Sequence, residues 1–256
     1  MNTEIKIENA LAAYKKADFA RAEQMMRPLA ERGDRVAQYH LGLMYRYGRG
    51  VEANKTEAAT WYRKAAMQGH ATSQFALGLA YLRGKGVNRN YVEAAKWFMK
   101  AAEHGRASAQ AALGLLYRFG RGVSKDRGKS ASWFRKAAIK GSATGQFALG
   151  LMHRKGFGVP RDYTVAAKWF LSAANLGHIA AMGYLGLMYY QGSGVPKDIV
   201  EAHKWSTLAS RTGKKAGDLA RRSCEMMAKE MTAEQLNQAH KLVGEWMPKS
   251  TAPVDK

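Results

Sequence analysis

The sequence predicts an all-α protein, a right-handed α/α superhelical solenoid of helix–turn–helix repeats, each 36 residues long. Three markers recur with this one period: a Leu-Gly pair, a Gly-x-Gly-Val turn and a tryptophan. Because the three markers share one register five times over, a single structural unit must be repeated along the chain. The pairs begin at Leu41, Leu77, Leu113, Leu149 and Leu185, the turns begin at Gly48, Gly84, Gly120, Gly156 and Gly192, and the tryptophans are Trp61, Trp97, Trp133, Trp169 and Trp205.

The first helix of each repeat is predicted near residues 37–47, where Gln38, Leu41, Gly42 and Tyr45 share one stripe with helical spacing. A glycine inside a helix costs about 1 kcal/mol relative to alanine. Its recurrence therefore predicts a close approach, in which the partner helix packs against the backbone. The glycines of the following turn are expected to supply the positive φ needed where the helix stops and the chain reverses.

The second helix of each repeat follows a residue that is suited to cap it. Its inward stripe is expected to contain Ala58, Trp61 and Ala65 with their equivalents, and the indole should fill the gap between layers. Two helices of roughly 17 and 20 Å, at ~1.5 Å per residue, are too short to bury a core alone. Stacking of neighbouring repeats must stabilise them. The capping residues are Asn54, Asn90, Asp126, Asp162 and Asp198.

The pattern A-Q-x-x-L-G-x-x-Y-x-x-G-x-G-V, followed by A-x-x-W-[YF]-x-K-A-A-x-x-G, resembles the Sel-one-like repeat (SLR) family, which is related to the tetratricopeptide repeat. The resemblance covers about residues 35–211. It implies a non-catalytic scaffold or adaptor that binds a protein or peptide partner in the concave groove of the solenoid. His153 in place of tyrosine and Ser206 in place of an aromatic depart from the pattern. The serine suggests that the second helix of the fifth repeat faces a different neighbour from the other second helices.

The two ends of the chain are predicted to cap the solenoid, as terminal units of repeat proteins do. A degenerate helix pair is expected before the repeats, and capping helices followed by a flexible tail are expected after them. The predicted boundaries are 1–35 for the first cap, 36–71, 72–107, 108–143, 144–179 and 180–211 for the repeats, 212–248 for the capping helices and 249–256 for the tail.

Composition narrows the classes of function. The 256 residues carry 41 Lys and Arg against 20 Asp and Glu, a net charge of +21 that attracts polyanions. Cys224 is the only cysteine, so no intrachain disulfide can form. No signal peptide or membrane-spanning stretch is recognisable, which predicts a cytoplasmic protein without integral membrane insertion and leaves export by a non-classical route open.

Candidate catalytic groups are weak. The string from Gly122 to Ser130 resembles a phosphate-binding loop, but five residues separate its glycines where the Walker A motif has four. In the repeat register, Asp126 is a helix cap and Lys129 a helix-face residue. The seven histidines show no paired metal-ligand spacing. Because no Ser-x-x-Lys motif is present either, the sequence predicts no enzyme, no metal and no cofactor.

A partner-binding face is predicted from positions that vary among repeats, since the packing positions scarcely change. These positions lie on the other stripe of the first helix, and we call them the first-helix face. Rings interleaved with guanidinium groups suit an acidic peptide or the stacked bases of a single strand. Packing of some rings between adjacent first helices is the alternative. The candidate residues are Tyr39, Arg46, Tyr47, Phe75, Arg83, Arg118, Phe119, Phe147, Arg154 and Lys155.

Basic residues are concentrated in the middle of the chain. Residues 106–155 hold eleven Lys and Arg against Asp126 alone. A basic patch centred on the third repeat is therefore expected, and it makes nucleic-acid or other polyanion binding the alternative to protein binding. A membrane-surface role for the patch comes third, and the chain is expected to be a monomer. The patch residues are Arg121, Lys125, Arg127, Lys129, Arg135 and Lys136.

Overall fold

A computed structural model describes residues 6–211 and 215–249, which form fourteen helices and no strand. This confirms the predicted all-α fold of repeated helical hairpins. The chain divides into two compact units, residues 1–125 with the first seven helices and residues 126–256 with the other seven. The helices are α1 (Ile7–Lys15), α2 (Phe19–Glu31), α3 (Arg35–Tyr47), α4 (Lys55–Met67), α5 (Ala71–Arg83), α6 (Tyr91–Glu103), α7 (Ala107–Phe119), α8 (Arg127–Ile139), α9 (Ala143–Lys155), α10 (Tyr163–Asn175), α11 (Ile179–Gln191), α12 (Ile199–Ser210), α13 (Lys215–Ala228) and α14 (Ala233–Glu245).

In the first unit, each helix packs chiefly against its neighbours in the chain. The α1–α2 pair precedes the first repeat, and its Ala10 and Met26 share one buried cluster with Leu41, Met44 and Trp61. The α1–α2 pair is therefore part of the same core as the first repeat.

In the second unit, the helices from α8 to α12 also pack chiefly against their neighbours in the chain. Helix α12 then packs against both α13 and α14. The buried cluster joins Phe170, Leu185 and Trp205 to Val243 of α14, with Trp246 packed against it. The second helix of the fifth repeat thus has α13 and α14 as neighbours in place of the first helix of another repeat. This agrees with the expectation drawn from Ser206.

The close approach predicted at the helix glycines is confirmed, and the side chain responsible is the aromatic residue after the tryptophan. A Cβ added to Gly42 would lie 2.6 Å from the Tyr62 ring, and one on Gly78 would lie 2.6 Å from Phe98. Phe98 is fully buried, whereas Trp97 keeps partial exposure. In the second repeat the ring that fills the interior is therefore one position later than we expected, whereas Trp61 and Trp205 are buried as predicted.

The turn glycines have the predicted positive φ, with values of 64° at Gly84 and 76° at Gly86. The second glycine of each turn also contacts the start of the preceding second helix. A Cβ on Gly86 would lie 1.8 Å from the Lys55 carbonyl oxygen, and one on Gly122 would lie 2.1 Å from that of Tyr91. Each turn is thereby fixed onto the preceding repeat.

Side-chain hydrogen bonds complete the framework. The predicted caps are confirmed, because the side chain of each capping residue accepts a hydrogen bond from the first turn of its helix. The buried Gln74 amide donates to the Ala66 carbonyl at 3.2 Å, and Gln38 and Gln146 make the equivalent bonds. With the bond of Gln110, they link the first helices of four repeats to the end of the second helix before each of them, whereas the fifth repeat has Met182 at this position.

Within residues 6–211 and 215–249, no helix combines the length and apolar composition that a membrane crossing requires. The predicted flexible tail lies, from residue 250 onward, outside the described residues.

Candidate functional site

Three rings of the first-helix face are half-buried and pack inside the repeats. Tyr39 lies 6.1 Å from Tyr62, and Phe75 lies 5.5 Å from Phe98, as measured between ring centroids. Phe147 lies 5.8 Å from Phe170 and stacks on His178 at 4.4 Å. Each ring therefore contacts the second helix of its own repeat, which the alternative of packing between adjacent first helices did not include, and this packing covers part of its surface.

Two other rings of the first-helix face are exposed and flanked by arginines in the first unit. Tyr47 is 54% exposed, and the guanidinium carbons of Arg46 and Arg49 lie 5.0 and 5.1 Å from its centroid. Phe119 is 55% exposed, with Arg118 at 5.3 Å and Arg121 at 5.6 Å. Such pairs can bind a planar or anionic group, since each ring and its cations face solvent together.

The remaining predicted residues of the face divide between the two units. Arg46, Tyr47 and Arg83 line one cleft of the first unit. In the second unit, Arg154 and Lys155 line a shallow depression with Phe157. Arg154 also lies over the Tyr184 ring, 4.9 Å from its centroid.

The predicted basic patch is likewise divided. Arg121 and Lys125 belong to the first unit, and the other four residues lie on α8 of the second unit. On α8, Arg127 lies 4.4 Å from the Phe157 centroid and Lys136 lies 4.3 Å from that of Trp133. The Lys129 ammonium is 3.9 Å from the Asp126 carboxylate, while Arg135 is exposed. A single continuous patch remains a prediction.

A cleft of the second unit lies between α11, α12 and α13, and we call it the fifth-repeat cleft. Its volume is about 530 Å³, within the range of small-ligand and peptide pockets. Its walls are mostly apolar, and Leu219 and Met226 of α13 are 69% and 47% exposed. Arg154 stands at its edge, and the Tyr190 hydroxyl in its wall donates to Glu230 at 2.8 Å.

Two missing rings open this cleft. The repeats that carry Phe75 with Phe98, and Phe147 with Phe170, fill the equivalent space with a pair of rings. The fifth repeat has Gly183 and Ser206 at those two positions, and both line the cleft. A Cβ added to Gly183 would meet nothing within 4 Å. The open space therefore results from the residues that the fifth repeat carries at these two positions.

Of the residues that line the cleft, only Arg154 was among the candidate site residues predicted from the sequence. Positions 154, 183 and 190 all belong to the varying stripe of the first helices. The α13 wall could not be found in this way, because the period is lost before α13 begins. The absence of both rings from one repeat was the available signal.

Cys224 and the histidines give no sign of nucleophilic chemistry. The Cys224 sulfur lies 3.4 Å from the Thr207 hydroxyl, and burial raises the pKa of the thiol. A nucleophilic cysteine requires the opposite shift. Burial lowers the pKa values of His70, His178 and His203, and among the described residues no three metal-ligating side chains meet.

Comparison with known proteins gives a consistent family and fold. The model of the Sel1 repeat family matches residues 35–70, 71–105, 107–142, 143–178 and 179–213. Sel1 repeat proteins are generally protein-interaction scaffolds and are typically not enzymes. No curated protein matches the chain.

Two solved structures are similar over most of the chain. One is a protective antigen present in uropathogenic Escherichia coli strains that displays an SLR fold, with a TM-score of 0.83 and 35% identity over 93% of this chain. This chain spans only 53% of the length of that antigen. The other is a Sel1 repeat protein from Oxalobacter formigenes, with a TM-score of 0.79 and 30% identity, covering 92% of this chain and 95% of that one.

Proposed function

The chain belongs to the Sel1 repeat family, and on that premise we propose that it is a non-catalytic scaffold that binds a peptide segment of a protein partner. The fifth-repeat cleft of the second unit, with Arg154 of the first-helix face in its lining, is the binding surface. The single observation that supports this most is the pair of rings missing from the fifth repeat, because it leaves an apolar cleft of about 530 Å³ at a varying position of the repeat.

The cleft chemistry specifies the kind of peptide. The apolar surface of Leu187, Leu219 and Met226 suits one or two aliphatic or aromatic side chains. Arg154 at the edge suits an Asp, a Glu or a terminal carboxylate next to them, since a guanidinium pairs well with carboxylates. The net charge of +21 favours an acidic partner in the same way.

A direct test is selection from a random peptide library displayed on phage, followed by titration of the enriched peptides. We expect peptides that combine apolar residues with an acidic residue. Gly183→Phe should weaken their binding by about tenfold or more, because the ring that other repeats carry fills the cleft without removing any contact of the fold. Leu219→Ala should weaken binding too, since it truncates an exposed wall.

The matched control is Ile139→Ala on α8, which removes an equally exposed apolar side chain away from the cleft (73% exposed, against 69% for Leu219). The control should bind like the wild type. The proposal is wrong if no peptide is enriched, or if the enriched peptides bind the Gly183→Phe and Leu219→Ala variants as tightly as the parent protein.

Polyanion binding is the second candidate function. It is favoured by the exposed rings of Tyr47 and Phe119, each placed between two arginines in the first unit. Aromatic rings that alternate with cations form the usual platform for single-stranded nucleic acid. Single-stranded oligonucleotides are therefore the probe for this function.

A further inference from the structure

A second cleft, in the first unit, has a chemistry unlike that of the fifth-repeat cleft. It lies between α3, the start of α4 and α5, and its volume is about 190 Å³. The turn after α5 closes one side, because Gly86 packs against the carbonyl of Lys55 and so brings Lys85 beside Lys55. We call it the cationic cleft.

Four cations and no acid line this cleft. They are Arg46 from α3, Lys55 from the start of α4, Arg83 from the end of α5 and Lys85 from the turn. Within the described part of the chain, none of the four forms an ion pair with a carboxylate. Their mutual repulsion is therefore not offset by a neighbouring acid, which is the condition in which an anion is bound.

The wall of the cationic cleft also contains a polar group that packing does not need. Tyr62 is only 3% exposed, and its hydroxyl oxygen interacts with the Arg46 guanidinium without forming a well-aligned hydrogen bond. Arg46 lies close enough to offset part of the rise that burial causes in the tyrosine pKa. Phe98 and Phe170 occupy the same repeat position and are fully buried without a hydroxyl. A buried hydroxyl that is held only by a poorly aligned interaction gains from a better-aligned partner, which a ligand in the cleft can supply.

The next junction between repeats in the same unit is formed by α5, α6 and α7. It shows that the repeat fold does not require the four positive charges of the cationic cleft. At the positions that correspond to Arg46, Lys55 and Arg83, this junction has Leu82, Tyr91 and Phe119. Only Arg121, which corresponds to Lys85, keeps the positive charge. The fold is the same at both junctions, so the four cations are not required to build it. They are specific to this cleft.

We propose that the cationic cleft binds a phosphate monoester. A phosphoryl group carries a charge of about −1.5 to −2 at neutral pH and offers three strong acceptor oxygens. Two guanidinium groups and two ammonium groups can supply donors to all three oxygens, whereas a single carboxylate would leave some cations unpaired. Rotation of Arg46 toward the phosphoryl group would also open the Tyr62 hydroxyl to one of its oxygens.

The proposal goes beyond scaffold function, because it needs no protein partner and is tested with inorganic phosphate. Binding of inorganic phosphate and of phosphoserine is measured by isothermal titration calorimetry on the full chain, at constant ionic strength. Sodium acetate is the monoanionic comparison. We expect saturable binding at one site, for both phosphate ligands and not for acetate.

Two variants test the residues of the site, and each takes a residue that other repeats already use at that position. Arg46→Leu should weaken phosphate binding about tenfold, as expected for one lost charge-assisted hydrogen bond. Tyr62→Phe should weaken it about threefold, as expected for one neutral hydrogen bond. Arg118→Leu is the matched control, because Arg118 has the same repeat position as Arg46 and also lies over an exposed ring.

The control also separates this proposal from the proposed function, since Arg118 belongs to the first-helix face but not to the cationic cleft. It should bind phosphate with unchanged affinity. A phosphoserine peptide that binds more tightly than phosphoserine would identify a phosphorylated partner as the source, and equal affinities would identify a small phosphorylated ligand. The proposal is overturned if phosphate does not bind saturably, or if Arg118→Leu weakens binding as much as Arg46→Leu.

Discussion

At the residue scale, two positions of the fifth repeat account for the open space beside its first helix. Where the equivalent positions hold Phe75 and Phe98, two rings meet and fill that space. Where they hold Gly183 and Ser206, the same backbone leaves a cleft. The exchange concerns side-chain volume alone, so a binding site can be opened in one repeat while the neighbouring repeats keep their packing.

A prediction at this scale concerns His40, whose ring is packed between Tyr14 and Tyr39. Its Nδ1 atom is buried without a hydrogen-bond partner, and burial lowers its pKa to about 4. Between about pH 6.5, its ordinary pKa, and pH 4 the unfolded chain therefore binds a proton at His40 that the folded chain does not. Stability should fall as the pH is lowered through this window.

His40→Ala tests this, because Ala76 and Ala148 occupy the same repeat position and are buried there. Urea unfolding at pH 7 and at pH 4.5 should show a smaller loss of stability for the variant than for the parent protein. The other buried histidines and the carboxylates contribute equally to both proteins. An equal loss in both would show that His40 is not the group responsible.

At the element scale, each Gly-x-Gly turn does two things, and the sequence predicted only one of them. Positive φ follows from the glycines themselves, since no other residue adopts it so easily. The contact of Gly86 with the start of the preceding second helix joins positions 31 residues apart (86 − 55). A motif read locally cannot reveal such a contact. The packing of α13 could not be predicted for a related reason, because no repeat register specifies what this helix packs against.

A matched pair of glycines separates the two roles of the turn. Gly86 and Gly105 have φ values of 76° and 81°, so alanine is strained at both. A Cβ on Gly86 would collide with the Lys55 carbonyl, whereas one on Gly105 would meet nothing within 4 Å. We expect Gly105→Ala to cost about 1 kcal/mol and Gly86→Ala to cost about 2 kcal/mol more through the forced shift of the turn.

The measurement is the urea midpoint of each variant, followed by hydrogen exchange of the amides in α4 and α5. Gly86→Ala should lower the protection of amides in both helices, because the turn that follows α5 packs against the start of α4. Equal midpoints for the two variants would mean that positive φ alone explains the second glycine.

At the scale of the whole molecule, the net charge of +21 is enough to attract any polyanion, so binding by itself does not identify a site. The charges can be counted in the sequence, and each can be assigned to a position within its repeat. The sequence does not show which cations lie over exposed rings and which lie over buried or half-buried rings. Arg121 beside Phe119 and Lys136 beside Trp133 look alike in the sequence, yet only the Phe119 ring is largely exposed.

The last prediction uses this difference to test polyanion binding. Single-stranded oligonucleotides are titrated at several salt concentrations against the parent protein and against Tyr47→Ala with Phe119→Ala. Diffuse attraction to the net charge gives a steep loss of affinity with salt that is the same for both proteins, since their charges are equal. Stacking on the two rings adds a component that salt does not remove, about 1–3 kcal/mol for each base. Weaker binding of the double variant at every salt concentration, with an unchanged salt slope, would establish a nucleic-acid site. Identical curves would reduce the interaction to charge alone and leave protein binding as the function of the repeats.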